Sequence, residues 1–215
     1  MVPVIGIAAG GHAKVVIEIL RHLSDYELIG LLDSRSELHH TTVLGVPVLG
    51  DDNLLAGLHG QGVEHAFIGL GTVGDSAPRR KLYEKVVRAG FTVIRAVHPQ
   101  ALISPSAQIG QGVTIMAGAI INAAATLGAN VIINTGAIVE HDCVIGDHVH
   151  IATGAQLAST VRVGAGTHIG VGATIRQCIS IGENVIVGAG AVVIRDVNAN
   201  SVVAGVPARA LRKRE

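Results

Sequence analysis

The 215-residue chain carries 16 Lys and Arg against 16 Asp and Glu and has a pI near 7.2, so no basic field is present to hold nucleic acid. Aromatic residues make up 2% and Trp is absent, and no apolar run approaches the ~20 residues that span a bilayer. The two cysteines, Cys143 and Cys178, show no metal-ligand spacing, and the expectation is a soluble cytoplasmic protein.

The apolar N-terminus lacks a basic leader and breaks at Gly10-Gly11, so residues 3–8 (PVIGIA) read as a buried strand rather than a signal peptide. AKVVIEILRHL follows with helical spacing, then a second strand (27–33) that ends in Asp33. A loop carries LGVPVLG (44–50), and DDNLLAGLHG reads as a short helix with Asp at its N-cap. Residues 65–71 form a third strand, 76–90 an amphipathic helix and 91–97 a fourth strand. Strands alternating with helices imply a small Rossmann-like parallel sheet. His98-Pro99 marks its exit, which predicts an α/β domain over 1–98 and a second, all-β domain over 99–215.

The turn from Gly6 to Lys14 lies between strand and helix. Backbone N–H groups at such a helix start attract phosphate, and Gly allows close approach. His12 and Lys14 add donors or charge, and Asp33 stands where an acidic residue meets a ribose or base in nucleotide folds. The dinucleotide fingerprint is not met, because its middle Gly would be Ala8. Three readings stay open: a tight structural turn, a diphosphate site for a single nucleotide, and an NAD site.

From Ile103 to Val193 every sixth residue is Ile, Leu or Val, sixteen times in succession. The fourth residue after each is small or β-branched, as at Val113, Ala119, Ala125 and Cys143. A hexapeptide period is the signature of a parallel β-helix, three hexads closing one triangular coil. Gly and Asn permit the sharp corners because they tolerate positive φ. The basic segment AGVPARALRKRE (204–215) follows as a short tail.

Ten ionisable residues fall in this run, and six of them lie between 140 and 150. Glu140-His141-Asp142 is the one place where three stand in a row. An imidazole titrating near ~6.5 takes a proton at neutral pH, and a neighbouring carboxylate fixes its tautomer. The bland alternative for His141 is an exposed turn histidine. His150 and His168, eighteen residues apart, should stack on successive coils as a surface ladder, as part of a pocket, or as a metal pair. The last would suit a zinc-dependent lyase of the β-helical carbonic anhydrase type, which needs three His around one ion. A non-catalytic binding solenoid would leave the cluster at 140–150 without a purpose.

These residues resemble the sugar acetyltransferases that join a small nucleotide-binding α/β domain to a left-handed β-helix. That family includes bacillosamine-pathway and perosamine N-acetyltransferases and the sialic acid O-acetyltransferases. The resemblance covers nearly the whole chain and is carried by GGHAKVV (10–16), Asp33, His98-Pro99, the hexads, residues 134–152 and AGVPAR (204–209). It implies a homotrimer with acetyl-CoA held between neighbouring helices, as a co-substrate and not a tightly bound cofactor. It makes His141 the catalytic base and Asp142 its acidic companion. Asn134 and His150 fall where the family lines the acetyl pocket, and Gly10, Gly11, His12, Lys14 and Asp33 where it holds the nucleotide sugar. No metal is implied. One departure is Gln156, where the pattern has a His. The implied reaction is acetylation of the amine of a nucleotide-linked 4-amino-4,6-dideoxy sugar, of the GDP-perosamine type or with a UDP-sugar. The alternative is O-acetylation of the sialic acid type. The oxyanion would take donors from backbone N–H groups or from His150.

Overall fold

The computed structural model describes residues 1–213. The chain divides into two compact units, Met1–Gly71 with Arg79–Ala96, and Thr72–Pro78 with Val97 onward.

The first unit is built on a six-stranded sheet in the order β3-β4-β2-β1-β5-β6. These strands are β1 (Val2–Ile7), β2 (Tyr26–Leu32), β3 (Thr42–Val43), β4 (Val46–Gly50), β5 (His65–Ile68) and β6 (Thr92–Val93). The pairs β1–β2, β1–β5, β2–β4 and β5–β6 are parallel, and β3–β4 is an antiparallel hairpin. Central β1 has Val4, Ile5 and Ile7 fully buried, as a parallel strand covered on both faces requires. Gly6 interrupts that apolar run because a Cβ there would collide with the side chains of Leu31 and Phe67. Helix α1 (Gly11–Arg21) buries Ala13, Val16, Ile17, Ile19 and Leu20, the stripe that a 3.6-residue period presents to one face. Asp51 caps the short helical segment before α2 (Leu55–Gly60), accepting from the Asn53 N–H at 2.9 Å. Helix α3 spans Ala77–Arg88.

Two expectations change. Residues 44–50, read as a loop, contain β4, whose Val46 and Val48 alternate inward while Pro47 faces out; Pro47 hides the strand signal without breaking an inner ladder. Residues 91–97 are two short strands instead of one. Thr92–Val93 extends the first sheet, and Ala96–Val97 stands at the end of a β-helix sheet.

The second unit is a hexapeptide-repeat β-helix. From Leu102 to Val193 its strands are two residues long and pair in parallel at a spacing of eighteen residues, as in Thr114↔Ile132, Ile132↔His150 and His150↔His168. Three such sheets form. The periodic residues point inward: Ile115, Ile133, Ile151, Ile169 and Val187 are fully buried, with Ala119, Ala137, Ala155 and Ala173 filling the space beside them. Burial of one such aliphatic side chain contributes about 1.5–3 kcal/mol, so the repeat itself supplies the core. Coils stack closely enough that a Cβ on Gly146 would lie 2.8 Å from the Ala165 nitrogen. The segment read as a basic tail is partly structured. Ser201–Ala204 pairs with Ile186–Val187, and Arg209–Lys213 folds back antiparallel on it, while residues 214–215 of that tail lie outside the described residues.

Candidate active site

His141 and Asp142 occupy one corner of the coil. Positive φ recurs at six-residue intervals, at Gly136, Asp142, His148 and Gly154 among others, and Asp142 takes it at 60°. Asp visits this left-handed region more cheaply than most residues with a Cβ. The corner is tied to both neighbouring coils: the Asp142 N–H donates to Ala123 O at 3.0 Å, and the Thr160 N–H donates to His141 O at 3.0 Å. Within it His141 Nδ1 lies 2.7 Å from Asp142 Oδ2, and both side chains are more than half exposed. With Nδ1–H donated to the carboxylate, Nε2 is left with its lone pair outward. The next residue, Cys143, points inward and its thiol reaches Ala158 O at 3.2 Å; burial pushes its pKa up, which keeps it a thiol.

Asn134 and His150 form a second pair. His150 is 7% exposed, and its Nε2 is 3.2 Å from Asn134 Nδ2. Its Nδ1 faces Thr72, whose Oγ1 is at 2.9 Å and whose carbonyl is at 3.0 Å. His150 and His168 do stack, edge to face, with ring centroids 4.9 Å apart. Burial lowers the pKa of His168, which keeps that ring neutral. Among the described residues no three His, Cys, Asp or Glu side chains are placed so that they could hold one metal ion. Gln156 is exposed on a different sheet, between Ile138 and Thr174.

In the first unit Gly10, Gly11, His12 and Lys14 open helix α1. Gly10 is the N-cap without a side-chain cap, and a Cβ on Gly10 or Gly11 would meet nothing within 4 Å. The space beside both glycines is open, and the positive end of the helix dipole lies at this turn. Ala8, at the place of the missing middle Gly, still adopts φ 78°, a conformation whose cost of order 1–3 kcal/mol persists only where the surroundings enforce it. Asp33 is 4% exposed and supplies that enforcement: its Oδ2 accepts the Ala9 N–H at 2.7 Å. Its carboxylate is also gripped by Arg35 through the backbone N–H, Nε and Nη2, each at 2.9 Å. The Arg35 guanidinium, with further help from Ala9, holds the Asp33 pKa at about 2 against the cost of burial.

Of the residues singled out in the sequence, the structure brings His141 to Asp142 and Asn134 to His150, and it ties Asp33 to Ala9, next to Gly10. The sequence gives no role to three further residues, Arg35, Thr72 and Arg79. Arg35 had a local signal, a cation two residues after a strand-end Asp. Arg79 is buried on α3, with Nη1 donating to Ile68 O at 2.9 Å and Leu70 O at 2.5 Å, and burial lowers its pKa to about 9. Thr72 lies 78 residues from His150 and gave no signal.

Comparison with known proteins agrees with this architecture. Residues 4–86 match the PglD N-terminal domain, 124–159 the bacterial transferase hexapeptide (six repeats) and 160–195 the hexapeptide repeat of succinyl-transferase. Perosamine N-acetyltransferase from Caulobacter crescentus is 42% identical, superposes with a TM-score of 0.91 and is matched over 98% of this chain and 97% of its own; it is known in complex with CoA and GDP-perosamine, also as H141N and H141A mutants. The acetyltransferase domain of PglB from Neisseria gonorrhoeae FA1090, in complex with acetyl coenzyme A, is 40% identical with a TM-score of 0.89, over 97% of this chain and 98% of that one. UDP-N-acetylbacillosamine N-acetyltransferase from Bacillus subtilis (strain 168) is 39% identical over 110 residues, which is 50% of this chain and 48% of that enzyme. Near-complete coverage at 42% identity decides the assignment: the chain belongs to the bacillosamine and perosamine N-acetyltransferase family, in which a PglD N-terminal domain precedes a hexapeptide-repeat β-helix.

Proposed function

We propose that this chain transfers an acetyl group from acetyl-CoA to the amine of a nucleotide-linked 4-amino-4,6-dideoxy sugar, with a GDP-perosamine-like substrate favoured. The observation that carries the reading is the 2.7 Å His141–Asp142 pair on a corner fixed by both adjacent coils. The sugar amine attacks the thioester carbonyl carbon, a C–N bond forms, and the oxyanion collapses with cleavage of the C–S bond. CoA leaves as a thiolate and is then protonated. His141 Nε2 takes the proton released by the attacking nitrogen, and Asp142 keeps the ring in the tautomer that allows this. General-base help of this kind contributes ~10²–10⁴-fold, and orienting the two substrates contributes more. Support for the substrate comes from the C. crescentus enzyme, 42% identical and solved with CoA and GDP-perosamine.

The α/β domain, residues 1–98 in this reading, binds the nucleotide sugar. The open helix start at Gly10, Gly11, His12 and Lys14 takes the diphosphate, and Asp33 with Arg35 borders the nucleoside. The second domain, residues 99–215 in this reading, carries the acetyl pocket with Asn134 and His150 on its β-helix. Leu102, which is 65% exposed, aligns in register with the partly exposed Ile120 and Ile138 along one sheet; that apolar column supports assembly with further copies, as a trimer. Among the described residues no helix is long and apolar enough to cross a membrane. Use of acetyl-CoA and a nucleotide sugar supports a cytoplasmic location.

The test is release of free thiol from acetyl-CoA across a panel of nucleotide-linked amino sugars. GDP-4-amino-4,6-dideoxy sugars are expected to turn over fastest, and no release with any amino sugar would sink the reading.

A further inference from the structure

The contact between His150 and Thr72 fixes more than a ring position. His150 Nδ1 lies 3.0 Å from the Thr72 carbonyl oxygen, and a carbonyl only accepts. Nδ1 therefore carries the proton. Thr72 Oγ1, at 2.9 Å from the same nitrogen, shares that proton as a second acceptor. Thr72 is 7% exposed, so water does not compete freely for it. In the neutral ring Nε2 is then bare, and it accepts from Asn134 Nδ2 at 3.2 Å. The orientation of that amide is set independently, because the Thr135 N–H donates to Asn134 Oδ1 at 2.8 Å and a backbone N–H cannot accept. Two backbone groups, one at each end, thus enforce a single hydrogen-bond direction through Thr72, His150 and Asn134. The chain of donors leaves the second Asn134 Nδ2–H uncommitted.

We propose that Thr72 is a positioning residue: it holds His150 as the Nδ1–H tautomer, which turns Asn134 so that its second amide N–H faces outward as a donor to the bound acyl group. The assignment of that acyl group rests on the acetyl-transfer reading above. His150 acts here as an acceptor that orients Asn134, and not as the source of a proton for the oxyanion. Thr72 comes from the loop after β5, far in sequence from the β-helix, so the arrangement is complete only when that loop is seated.

The experiment uses the full chain labelled with 15N in its histidine rings, with the His150 signals identified by their loss in His150→Gln. The expected result at neutral pH is a protonated Nδ1 and a bare, pyridine-type Nε2. Thr72→Val keeps the shape and the carbonyl but removes the hydroxyl acceptor. It should move the His150 Nδ1 signal and lower kcat about 3–10-fold, the range of one neutral hydrogen bond, with the melting temperature and the KM for nucleotide sugar unchanged. Thr72→Ser should restore both. An Nε2–H tautomer or an imidazolium at His150 overturns the proposal. So does a Thr72→Val enzyme with wild-type kcat and an unmoved Nδ1 signal. Absence of acetyl transfer in the wild-type chain would instead refute the functional reading, and the tautomer would still be read.

Discussion

Asp142 reaches His141 from a left-handed backbone: its φ is 60° and its Oδ2 lies 2.7 Å from His141 Nδ1. The same six-residue slot holds Gly136 one step before it and Gly154 two steps after it, so the coil geometry would accept Gly here. A carboxylate at this place is thus not required by the turn, which argues for a chemical role.

His141→Asn should keep the fold and melting temperature, because the side chain is more than half exposed and its backbone bonds are untouched. Turnover should fall by at least ~10²-fold, the scale of a lost general base. Steady-state thiol release with matched circular dichroism melts checks both, and near-normal turnover would remove His141 from the mechanism.

Asp142→Asn should cost less than His141→Asn. Asparagine retains an oxygen that can accept from Nδ1–H, and Asp142 orients the base without taking the substrate proton. The comparison to make is kcat for the two variants side by side. A larger loss in Asp142→Asn would reverse the assigned roles.

Asp33 gives a pH prediction. Its pKa is lowered from 3.8 to about 2 in the folded chain, chiefly by the Arg35 side chain. The charged form is therefore favoured by folding, and the stabilisation is fully present above the unfolded value near 3.8 and is lost as pH falls through about 2. Its size is on the order of 2 kcal/mol at most, reduced because Arg35 is half exposed and solvent screens the pair. Asp33→Asn should lower urea resistance at pH 6, and the gap from wild type should narrow toward pH 3. A gap that is constant across that range would show that the ion pair does not contribute.

Lys14→Ala should raise the KM for nucleotide sugar and leave that for acetyl-CoA nearly unchanged. The motive is its exposed position in the first turn of α1, beside the open backbone of Gly10 and Gly11. The reverse pattern, with acetyl-CoA affected, would place the nucleotide elsewhere.

The β-helix was legible because each hexad states its own fold: Ile115, Ile133 and Ile151 need no distant partner to identify their inward slot. The Gly10–Lys14 turn and Asp33 were legible for the same reason, as strand-end and helix-start chemistry within a short span. What escaped depended on contacts between distant residues. Thr72 reaches His150 across 78 positions, and β4 is a strand because β2 lies beside it, against the local signal of Pro47. Arg79 was read as one more polar residue on an amphipathic helix, yet it is 2% exposed because the carbonyls of Ile68 and Leu70 receive its guanidinium.

The acceptor atom is the last matter to test. An amine on the sugar is already partly neutral near pH 7.5 and attacks before it gives up its proton, so taking that proton is then a light task for an imidazole. A hydroxyl must lose a far less acidic proton as it attacks, and it needs a stronger device. The corner at His141 offers a single His–carboxylate pair, and Cys143 next to it is turned inward and held as a thiol. Amide formation is therefore expected over ester formation. The check is a pair of nucleotide sugars that differ only in amino versus hydroxyl at one carbon, with the products treated with hydroxylamine. An amide survives that treatment and an ester does not. Faster turnover of the hydroxyl sugar, or label lost to hydroxylamine, would make the chain an O-acetyltransferase while leaving His141 as its base.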